Sequence, residues 1–264
     1  MARLSFRKYE GLGNDFIVMN VPSHSLERDR AVQLCDRHFG IGADGVLLIG
    51  PPSTRGAAAS MVVLNADGSR PEMCGNGLRC VALEVRRQRG DVDRELVIDT
   101  DAGPLACKFV DGLVEVSMGR LVDRGSVEVS VDHRAHRFHH LTIGNPHAIT
   151  FERYEAREVD SVGPRVATHS LFPQGTNVEF ALLGTDGAID LVVWERGVGR
   201  TLACGTGACA TVGAACIAGL RQFDEWTEVR LPGGKLSIRV ERGSLATSMR
   251  GPARLVFEGE VSLS

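Results

Sequence analysis

The chain repeats itself at an offset of about half its length, and this repeat limits the folds that it can adopt. Five short segments of the first half recur in the same order in the second half, 130 or 131 residues further along. Each match is short, but a shared order and a shared offset are hard to attribute to chance. Such a repeat indicates two copies of one structural unit. The matching segments are Gly13-Asn14 with Gly144-Asn145, 61–65 with 191–195, 74–77 with 204–207, Gly103 and Leu105 with Gly234 and Leu236, and 117–118 with 248–249.

Each copy is predicted to be a mixed α/β (α+β) unit, in which a sheet or barrel wraps around one central helix. In the first copy, apolar residues fall on one helical face shortly after Cys74. In the second, residues 208–220 are nearly all apolar, which is typical of a helix buried on every side. Alternating or β-branched segments predict strands at 95–99, 114–117, 127–131, 236–240 and 254–257. The repeat predicts two pseudo-symmetric domains: 1–122, completed by the C-terminal tail 253–264, and 123–252.

Composition argues against several classes of protein. The formal net charge of -3 provides no basic surplus for binding nucleic acid, and the longest apolar stretches are far too short to span a membrane. The first residues lack the apolar core of a signal peptide, so we expect a cytoplasmic protein. The 7 cysteines include no C-x-x-C pair, which argues against a disulfide framework and a structural zinc site. We therefore predict no metal and expect five cysteines to be core thiols: Cys35, Cys80, Cys107, Cys209 and Cys216.

Two Cys-Gly-x-Gly segments, which begin at Cys74 and Cys204, are the strongest indication of chemistry. Each cysteine is predicted to precede a helix, where unpaired backbone N–H groups and the helix dipole favour thiolate over thiol. The same N–H groups can hold a carboxylate, and the glycines allow it to approach closely. In a duplicated fold, two such turns can present one thiol to each face of a substrate α-carbon. This suits a two-base racemase, in which one thiolate removes the α-proton and the opposite thiol supplies a proton to the other face.

The lysines give no indication of a pyridoxal cofactor. The chain contains only Lys8, Lys108 and Lys235, and each lies in a segment that reads as a strand or a turn. A pyridoxal enzyme needs a lysine placed to form a Schiff base with the cofactor. We therefore predict a reaction that uses no cofactor.

At these residues the sequence resembles diaminopimelate epimerase, and the resemblance extends along nearly the whole chain. The first cysteine signature reads Glu72-Met73-Cys74-Gly75-Asn76-Gly77-Leu78-Arg79-Cys80, and the second reads Ala203-Cys204-Gly205-Thr206-Gly207-Ala208. The two signatures together are highly specific. The other similar segments are 11–16, 65–69, 144–147, 175–177 and 195–197.

The resemblance implies interconversion of LL- and meso-2,6-diaminopimelate, in the synthesis of lysine and of peptidoglycan precursors, by a homodimer. It implies that Cys74 and Cys204 are the catalytic acid and base. Contacts to the reacting end of the substrate would come from Gly75, Asn76, Gly205 and Thr206. Amides and a guanidinium suit the charged distal end, and the implied residues there are Asn14, Asn65, Asn145, Asn177 and Arg196. His147 and Glu195 would lie near the thiols and tune their protonation, and Glu195 would also contact the substrate.

Other functions fit parts of the sequence. A racemase of another polar amino acid, such as histidine, could use the same two thiols. Gly205-x-Gly207-x-x-Ala210 with Asp224 further on resembles a dinucleotide fingerprint, but no buried strand directly precedes these glycines. A non-catalytic binding protein on this scaffold would show no α-proton exchange and would tolerate serine at both cysteines. Taken singly, the asparagines can be turn formers and Glu195-Arg196 a solvated ion pair.

The two thiols also raise a regulatory hypothesis. Activated thiols that lie close enough to share a substrate can form a disulfide on oxidation, and this would stop turnover.

Overall fold

The structure of the chain is a computed structural model, which describes residues 3–21, 26–90 and 95–262. It comprises two compact units. Unit 1 is Met1–Val116 with Gly251–Ser264, and unit 2 is Ser117–Arg250. The domain limits taken from the repeat, 1–122 with 253–264 and 123–252, stay a prediction.

Elements are numbered in chain order. The described part of unit 1 forms helices α1 (Arg28–Cys35) and α2 (Gly75–Gln88) and the strands β1 (Arg3–Gly11), β2 (Asn14–Asn20), β3 (Gly45–Gly50), β4 (Ala59–Asn65), β5 (Glu95–Thr100), β6 (Gly103–Val110), β7 (Leu113–Arg120, which starts in unit 1) and β17 (Arg254–Ser262). Unit 2 forms helices α3 (Ala156–Ala167) and α4 (Gly205–Ile217) and the strands β8 (Val122–Val131), β9 (Arg134–Ile143), β10 (Asn145–Thr150), β11 (Asn177–Leu183), β12 (Ile189–Glu195), β13 (Gly199–Arg200), β14 (Thr227–Leu231), β15 (Gly234–Val240) and β16 (Ala246–Gly251).

The two units pair their strands in the same order and directions. In unit 1 the order is β17-β1-β2-β3-β4-β5-β6-β7, with parallel pairs at β2–β3 and β4–β5 and antiparallel pairs elsewhere. In unit 2 the order is β8-β9-β10-β11-β12-β14-β15-β16, with parallel pairs at β10–β11 and β12–β14. This correspondence confirms the predicted duplication and the predicted α/β class.

In each unit a central strand packs between two helices, so its alternating side chains serve two cores. In β3, Val46 and Leu48 pack with residues of α1, while Leu47 lies against the start of α2. In β11, Val178 and Phe180 pack with residues of α3. Such strands have no solvent face, which explains why β3 is apolar along its whole length.

The predicted central helices are confirmed. Helix α2 begins directly after Cys74 and helix α4 directly after Cys204. Eleven of the 13 residues of α4 are buried, as the all-apolar sequence predicted. The five predicted strands lie within β5, β7, β8, β15 and β17. Among the described residues, none of the helices combines the length and the apolar character that a transmembrane span requires.

Candidate active site

Cys74 and Cys204 cap their helices in the same way. Each has an extended backbone, with φ -138° and ψ 111° at Cys74 and φ -127° and ψ 109° at Cys204. The Sγ atom of Cys74 accepts a hydrogen bond from the backbone N–H of Gly77 at 3.4 Å, and that of Cys204 accepts one from Gly207 at 3.3 Å. The two backbone N–H groups that precede this donor in each first turn, those of Gly75 and Asn76 in α2 and of Gly205 and Thr206 in α4, have no acceptor within the helix. Each helix start therefore presents a thiol beside donors that suit an anion.

In unit 1, a chain of side-chain hydrogen bonds leads from the start of α2 to the start of β2. The Nδ2 of Asn76 donates to Oδ1 of Asn14 at 3.2 Å, and the Nδ2 of Asn14 donates to Oδ2 of Asp44 at 2.7 Å. Behind them, the buried Arg79 guanidinium donates to Oδ1 of Asn76 at 2.9 Å and to the carbonyl of Pro252 at 3.1 Å. Asn14 and Asn76 are thus oriented by direct contacts, and Arg79 fixes the second of them.

Asn65 stands at the end of β4 and forms a turn. Its backbone N–H donates to the carbonyl of Ser69 at 2.8 Å, and its Nδ2 donates to the Ser69 hydroxyl at 2.9 Å. These contacts of Asn65 are those of a turn former, and its role toward a substrate stays a prediction.

In unit 2, the ring of His147 lies in the interior between two partners. Its Nδ1 is 2.6 Å from Oε1 of Glu179, and its Nε2 is 2.9 Å from Oδ1 of Asn145. Both His147 and Glu179 have no exposed side-chain surface. Asn145 therefore extends this buried pair to the start of β10, where Asn145 itself is only half-buried.

A second polar group in unit 2 joins the start of β11 to the turn after β12. Asn177 accepts from the backbone N–H of Arg196 at 2.9 Å and donates to the carbonyl of Pro146 at 3.3 Å. The Arg196 guanidinium donates to the carbonyl of Gln174 at 2.8 Å. Asn177 thus ties the segment of Arg196 to that of His147.

The Glu195 carboxylate lies at the end of β12 and accepts a hydrogen bond from Thr201 Oγ1 at 2.6 Å. The structure therefore gives Glu195 a side-chain partner other than Arg196, which differs from a simple ion pair of the two neighbours. Its negative charge contributes to raising the pKa of Cys204.

The surroundings of Cys204 raise the pKa of its thiol, although a position at a helix start favours a lower pKa. Burial raises the pKa of Cys204 well above its usual value, and the carboxylates of Glu195 and Glu179 raise it further. Hydrogen bonds from Thr206, whose Oγ1 lies 3.5 Å from Sγ, and from the Gly207 N–H act in the opposite direction. Burial and the two carboxylates thus act against the thiolate that the sequence-based expectation assigns to both helix starts.

The first position of α4 leaves little room for a side chain. A Cβ atom on Gly205 would lie 3.1 Å from the sulfur of Met249, so a larger residue would crowd this side chain. Thr206 follows it, half-buried, and the two backbone N–H groups face the same end of the helix.

The remaining cysteines are all buried, as predicted. Burial raises the pKa of Cys80 and of Cys107 to about 12, and that of Cys35 and of Cys216 to about 11. Thiols with such pKa values are protonated and unreactive at neutral pH. Within the described residues, no group of three or more histidine, cysteine, aspartate or glutamate side chains is arranged to hold a metal ion.

Sequence reasoning missed Glu179, which contacts His147 and lies near Cys204. It also missed Asp44, the acceptor for Asn14, and Thr201, the donor to Glu195. One signal could have revealed Glu179: it is a charged residue within a β-strand segment that is otherwise apolar, Val178-Glu179-Phe180-Ala181. A carboxylate is fully buried only when it has a specific partner or function.

Solved structures define the class of fold. A hydroxyproline epimerase from Agrobacterium vitis superposes with a TM-score of 0.75 at 17% sequence identity, covering 99% of this chain and 93% of that chain. A phenazine biosynthesis protein of the PhzF family from Enterococcus faecalis superposes with a TM-score of 0.76 at 12% identity, covering 99% and 100%. At these identities the likeness establishes the fold, which this chain shares with epimerases and with PhzF-type proteins.

Sequence comparison defines the family. The diaminopimelate epimerase family model matches residues 6–123 and 140–256. A diaminopimelate epimerase from Nostoc punctiforme is 41% identical over 283 residues, covering 98% of this chain and 99% of the relative. One from Carboxydothermus hydrogenoformans is 40% identical over 280 residues, covering 98% and 100%. The chain belongs to the diaminopimelate epimerase family.

Proposed function

We propose that this chain interconverts LL- and meso-2,6-diaminopimelate without a cofactor, with Cys74 and Cys204 as the acid–base pair. The observation that carries the proposal is the recurrence of one helix start in both units, each capped by a cysteine sulfur with matching backbone angles. Family membership supplies the substrate, since relatives at about 40% identity are named for it. The products would enter lysine and peptidoglycan precursor synthesis.

The chemistry follows from the groups at the two helix starts. A thiolate at one cysteine removes the α-proton and becomes a thiol, while the thiol at the other donates a proton to the opposite face and becomes a thiolate. The number of protons on the pair is unchanged, and the roles are exchanged after one turnover. The substrate α-carboxylate takes up the developing negative charge, and N–H groups of Gly75, Asn76, Gly205 and Thr206 stabilise it.

The distal end of diaminopimelate carries an ammonium and a carboxylate group. We assign its recognition to Asn14, Asn65, Asn145, Asn177 and Arg196, with Glu195 as a further substrate contact. The guanidinium of Arg196 can donate two parallel hydrogen bonds to a carboxylate, and a glutamate carboxylate can accept hydrogen bonds from an ammonium group. His147 and Glu195 would tune the protonation of the thiols.

Proton exchange at the α-carbon tests the proposal. The measurement is NMR in deuterated water with LL-diaminopimelate, under reducing conditions and with no added cofactor. We expect α-proton exchange and appearance of the meso isomer, with both rates reduced on the order of 10²–10⁴-fold in Cys74→Ala and Cys204→Ala. Cys209→Ala is the matched control, because this buried thiol lies one helical turn beyond Cys204 and should leave turnover unchanged.

The alternatives predict different results in the same experiment. Exchange with another polar amino acid such as histidine, but none with diaminopimelate, would keep the mechanism and replace the substrate. No exchange with any amino acid, from folded and reduced protein, would favour a non-catalytic binding protein.

We also propose that the protein works as a homodimer in the cytoplasm, where thiols stay reduced. Strand β17 offers a surface for the dimer, since Leu255, Val256 and Phe257 are successive apolar residues that are at least 36% exposed. Light scattering should show a dimer for the parent protein and a monomer for Phe257→Lys. Leu171→Lys, at an exposed apolar residue of unit 2, is the control that should remain dimeric.

A further inference from the structure

The two units differ at one interior position that lies against the start of the central helix. Leu47 in β3 pairs with Val18 across a parallel ladder, and Glu179 in β11 pairs with Ile149 across the corresponding ladder. A Cβ atom on Gly77 would lie 2.9 Å from Cδ2 of Leu47, while one on Gly207 would lie 2.8 Å from Oε1 of Glu179. The carboxylate of Glu179 thus occupies the place that a leucine side chain has in unit 1.

The partner of this residue has changed in the same way. In unit 1, Phe16 stands opposite Gly45 in the parallel ladder, and in unit 2 His147 stands opposite Asn177. His147 and Glu179, which are in contact at 2.6 Å, therefore occupy the positions that the buried, apolar Phe16 and Leu47 hold in unit 1. The duplicated scaffold packs with either pair, so the shape of the fold does not require the charged one.

Placing a carboxylate here carries an energetic cost. Glu179 is completely buried, and burial raises its pKa, although His147 opposes this effect. Its Oε2 has no hydrogen-bond partner among the described residues. A buried polar atom without a partner lowers the stability of the folded state. Glu179 lowers stability at a position where the duplicated fold also accepts an apolar residue, and such a residue is a candidate for a functional role.

The Glu179 carboxylate and the Cys204 sulfur both lie beside Gly207. A Cβ atom placed on Gly207 would lie 2.8 Å from Glu179 Oε1 and 3.2 Å from Cys204 Sγ, so both atoms border the same small space. Negative charge at Oε1 opposes formation of a second negative charge at Sγ. Glu195, from β12, acts in the same sense, and the Gly207 N–H and the Thr206 hydroxyl act against it. The ring of His147, from β10, holds Glu179 in place.

We propose that Glu179 is a positioning residue that keeps Cys204 in its thiol form at the start of turnover, so that Cys204 donates the proton and Cys74 acts as the base. This inference rests on the proposed two-thiol function and adds a direction to it. The Cys74 thiolate gains the α-proton and the Cys204 thiol loses its own, so the proton count is preserved. The Cys204 thiolate formed beside Glu179 is then the less stable form, and the pair is reset for the next forward turnover when Cys74 releases its proton to solvent and Cys204 takes one up.

Thiol modification without substrate tests the inference independently of diaminopimelate. The reagent is methyl methanethiosulfonate, and mass spectrometry of peptides follows Cys74 and Cys204 in the same sample from pH 6 to pH 10. In Glu179→Gln, which keeps the size and removes the charge, we expect Cys204 to react on the order of tenfold faster at pH 8. Cys74 should react at an unchanged rate. An unchanged rate at Cys204 would overturn the inference.

Matched variants separate an electrostatic effect from a structural one. Glu84→Gln removes another fully buried carboxylate, in unit 1, and should not alter the reaction of Cys204. Cys209, which is fully buried, should stay unmodified in every variant and reports on unfolding. Glu179→Leu introduces the residue of unit 1 and should fold and also accelerate modification of Cys204. Failure of both Glu179 variants to fold would overturn the inference, because the carboxylate would then serve the fold.

The catalytic readout distinguishes this inference from the proposed function. If the parent protein epimerises diaminopimelate, Glu179→Gln should shift the alkaline limb of the kcat/KM profile to lower pH. If the parent protein does not act on diaminopimelate, the modification result still decides the role of Glu179.

Discussion

Units 1 and 2 share strand order, strand direction and the geometry of their cysteine caps, yet they bury opposite charges behind those caps. In unit 1, the cation of Arg79 lies in the first turns of α2 and bonds to Asn76 Oδ1. In unit 2, the equivalent position of α4 is Cys209, and the buried charged group is instead Glu179 on β11. Backbone hydrogen bonds preserve a duplicated scaffold, while interior side chains can change from apolar to charged once partners are available.

The comparison also separates two ways of supporting a helix. Helix α2 is amphipathic, and Glu84 on it bonds to Tyr9 of β1 at 2.7 Å and to Arg87 at 2.9 Å. Helix α4 consists largely of small apolar residues that are buried. The central helix of unit 1 therefore depends on buried polar contacts, whereas that of unit 2 depends mainly on apolar packing beside one buried acid.

The largest effect is expected from removing the buried cation of unit 1. Arg79→Met leaves the carbonyl of Pro252 and Oδ1 of Asn76 without their donor, which should lower the free energy of unfolding by about 2–4 kcal/mol. Asn76 also loses its orientation, so KM should rise more than kcat falls. Urea unfolding and steady-state kinetics measure the two effects.

Cys209→Ala is the matched variant in unit 2, because Cys209 occupies the position of Arg79 in the repeat. It removes one sulfur atom from an apolar site and should cost about 1 kcal/mol without a change in KM. Equal losses in the two variants would contradict the view that buried charge distinguishes the units.

How far the sequence predicts this molecule depends on the kind of feature. Both central helices and their cysteine caps follow from glycine spacing and apolar periodicity, and the structure confirms them. Helix α3 was not predicted, because Gly163 and Pro164 lie inside it and both disfavour helices. The structure explains the glycine: a Cβ atom at Gly163 would lie 2.9 Å from the ring of Trp194.

Charged residues of the candidate site were less predictable. The repeat was recognised from residues that are identical in the two halves, so a difference such as Leu47 against Glu179 carried no signal. The raised pKa of Cys204 depends on burial by residues distant in sequence, which a local helix-start pattern does not contain. Sequence thus predicts where the thiols stand better than how they ionise.

An intermediate effect is expected from filling the space next to each thiol. In Gly207→Ala the new Cβ meets Glu179 Oε1, which the His147 contact holds in place. Such overpacking should cost about 1–3 kcal/mol. In Gly77→Ala the new Cβ meets the flexible end of the Leu47 side chain, which can shift at lower cost. In both variants the helix propensity of alanine offsets up to about 1 kcal/mol of the strain.

Thermal unfolding and cysteine modification measure this pair. Gly207→Ala should be the less stable variant and should also alter the reactivity of Cys204, because it displaces the carboxylate. Gly77→Ala should leave Cys204 unchanged. Greater destabilisation by Gly77→Ala would show that the Glu179 contact is the softer of the two.

The smallest effect is expected from acid, which should lower the stability of the two units over different pH ranges. Burial lowers the pKa of His136, His139 and His140, all on β9 of unit 2, below the usual value of 6.5. In unit 1, the pKa of Asp15 and that of Glu84 are lowered by partners that outweigh burial. Acid should therefore weaken unit 2 first, as the pH falls below 6.5, and unit 1 only at lower pH.

Proton uptake by the unfolded chain explains this loss of stability. Below pH 6.5 the unfolded chain binds a proton at each histidine, while the folded chain binds it only when the pH falls through the lowered pKa, so stability declines across that window.

Both tryptophans, Trp194 and Trp226, belong to unit 2, so their fluorescence in urea at pH 8 and pH 5.5 reports on that unit. His140→Phe should reduce the loss between the two pH values, because the His140 ring packs edge-on to Phe172 and its Nε2 has no partner among the described residues. His38→Gln, on unit 1, should leave the loss unchanged. An equal loss in the parent protein and in His140→Phe would assign the acid sensitivity of unit 2 to groups other than this ring.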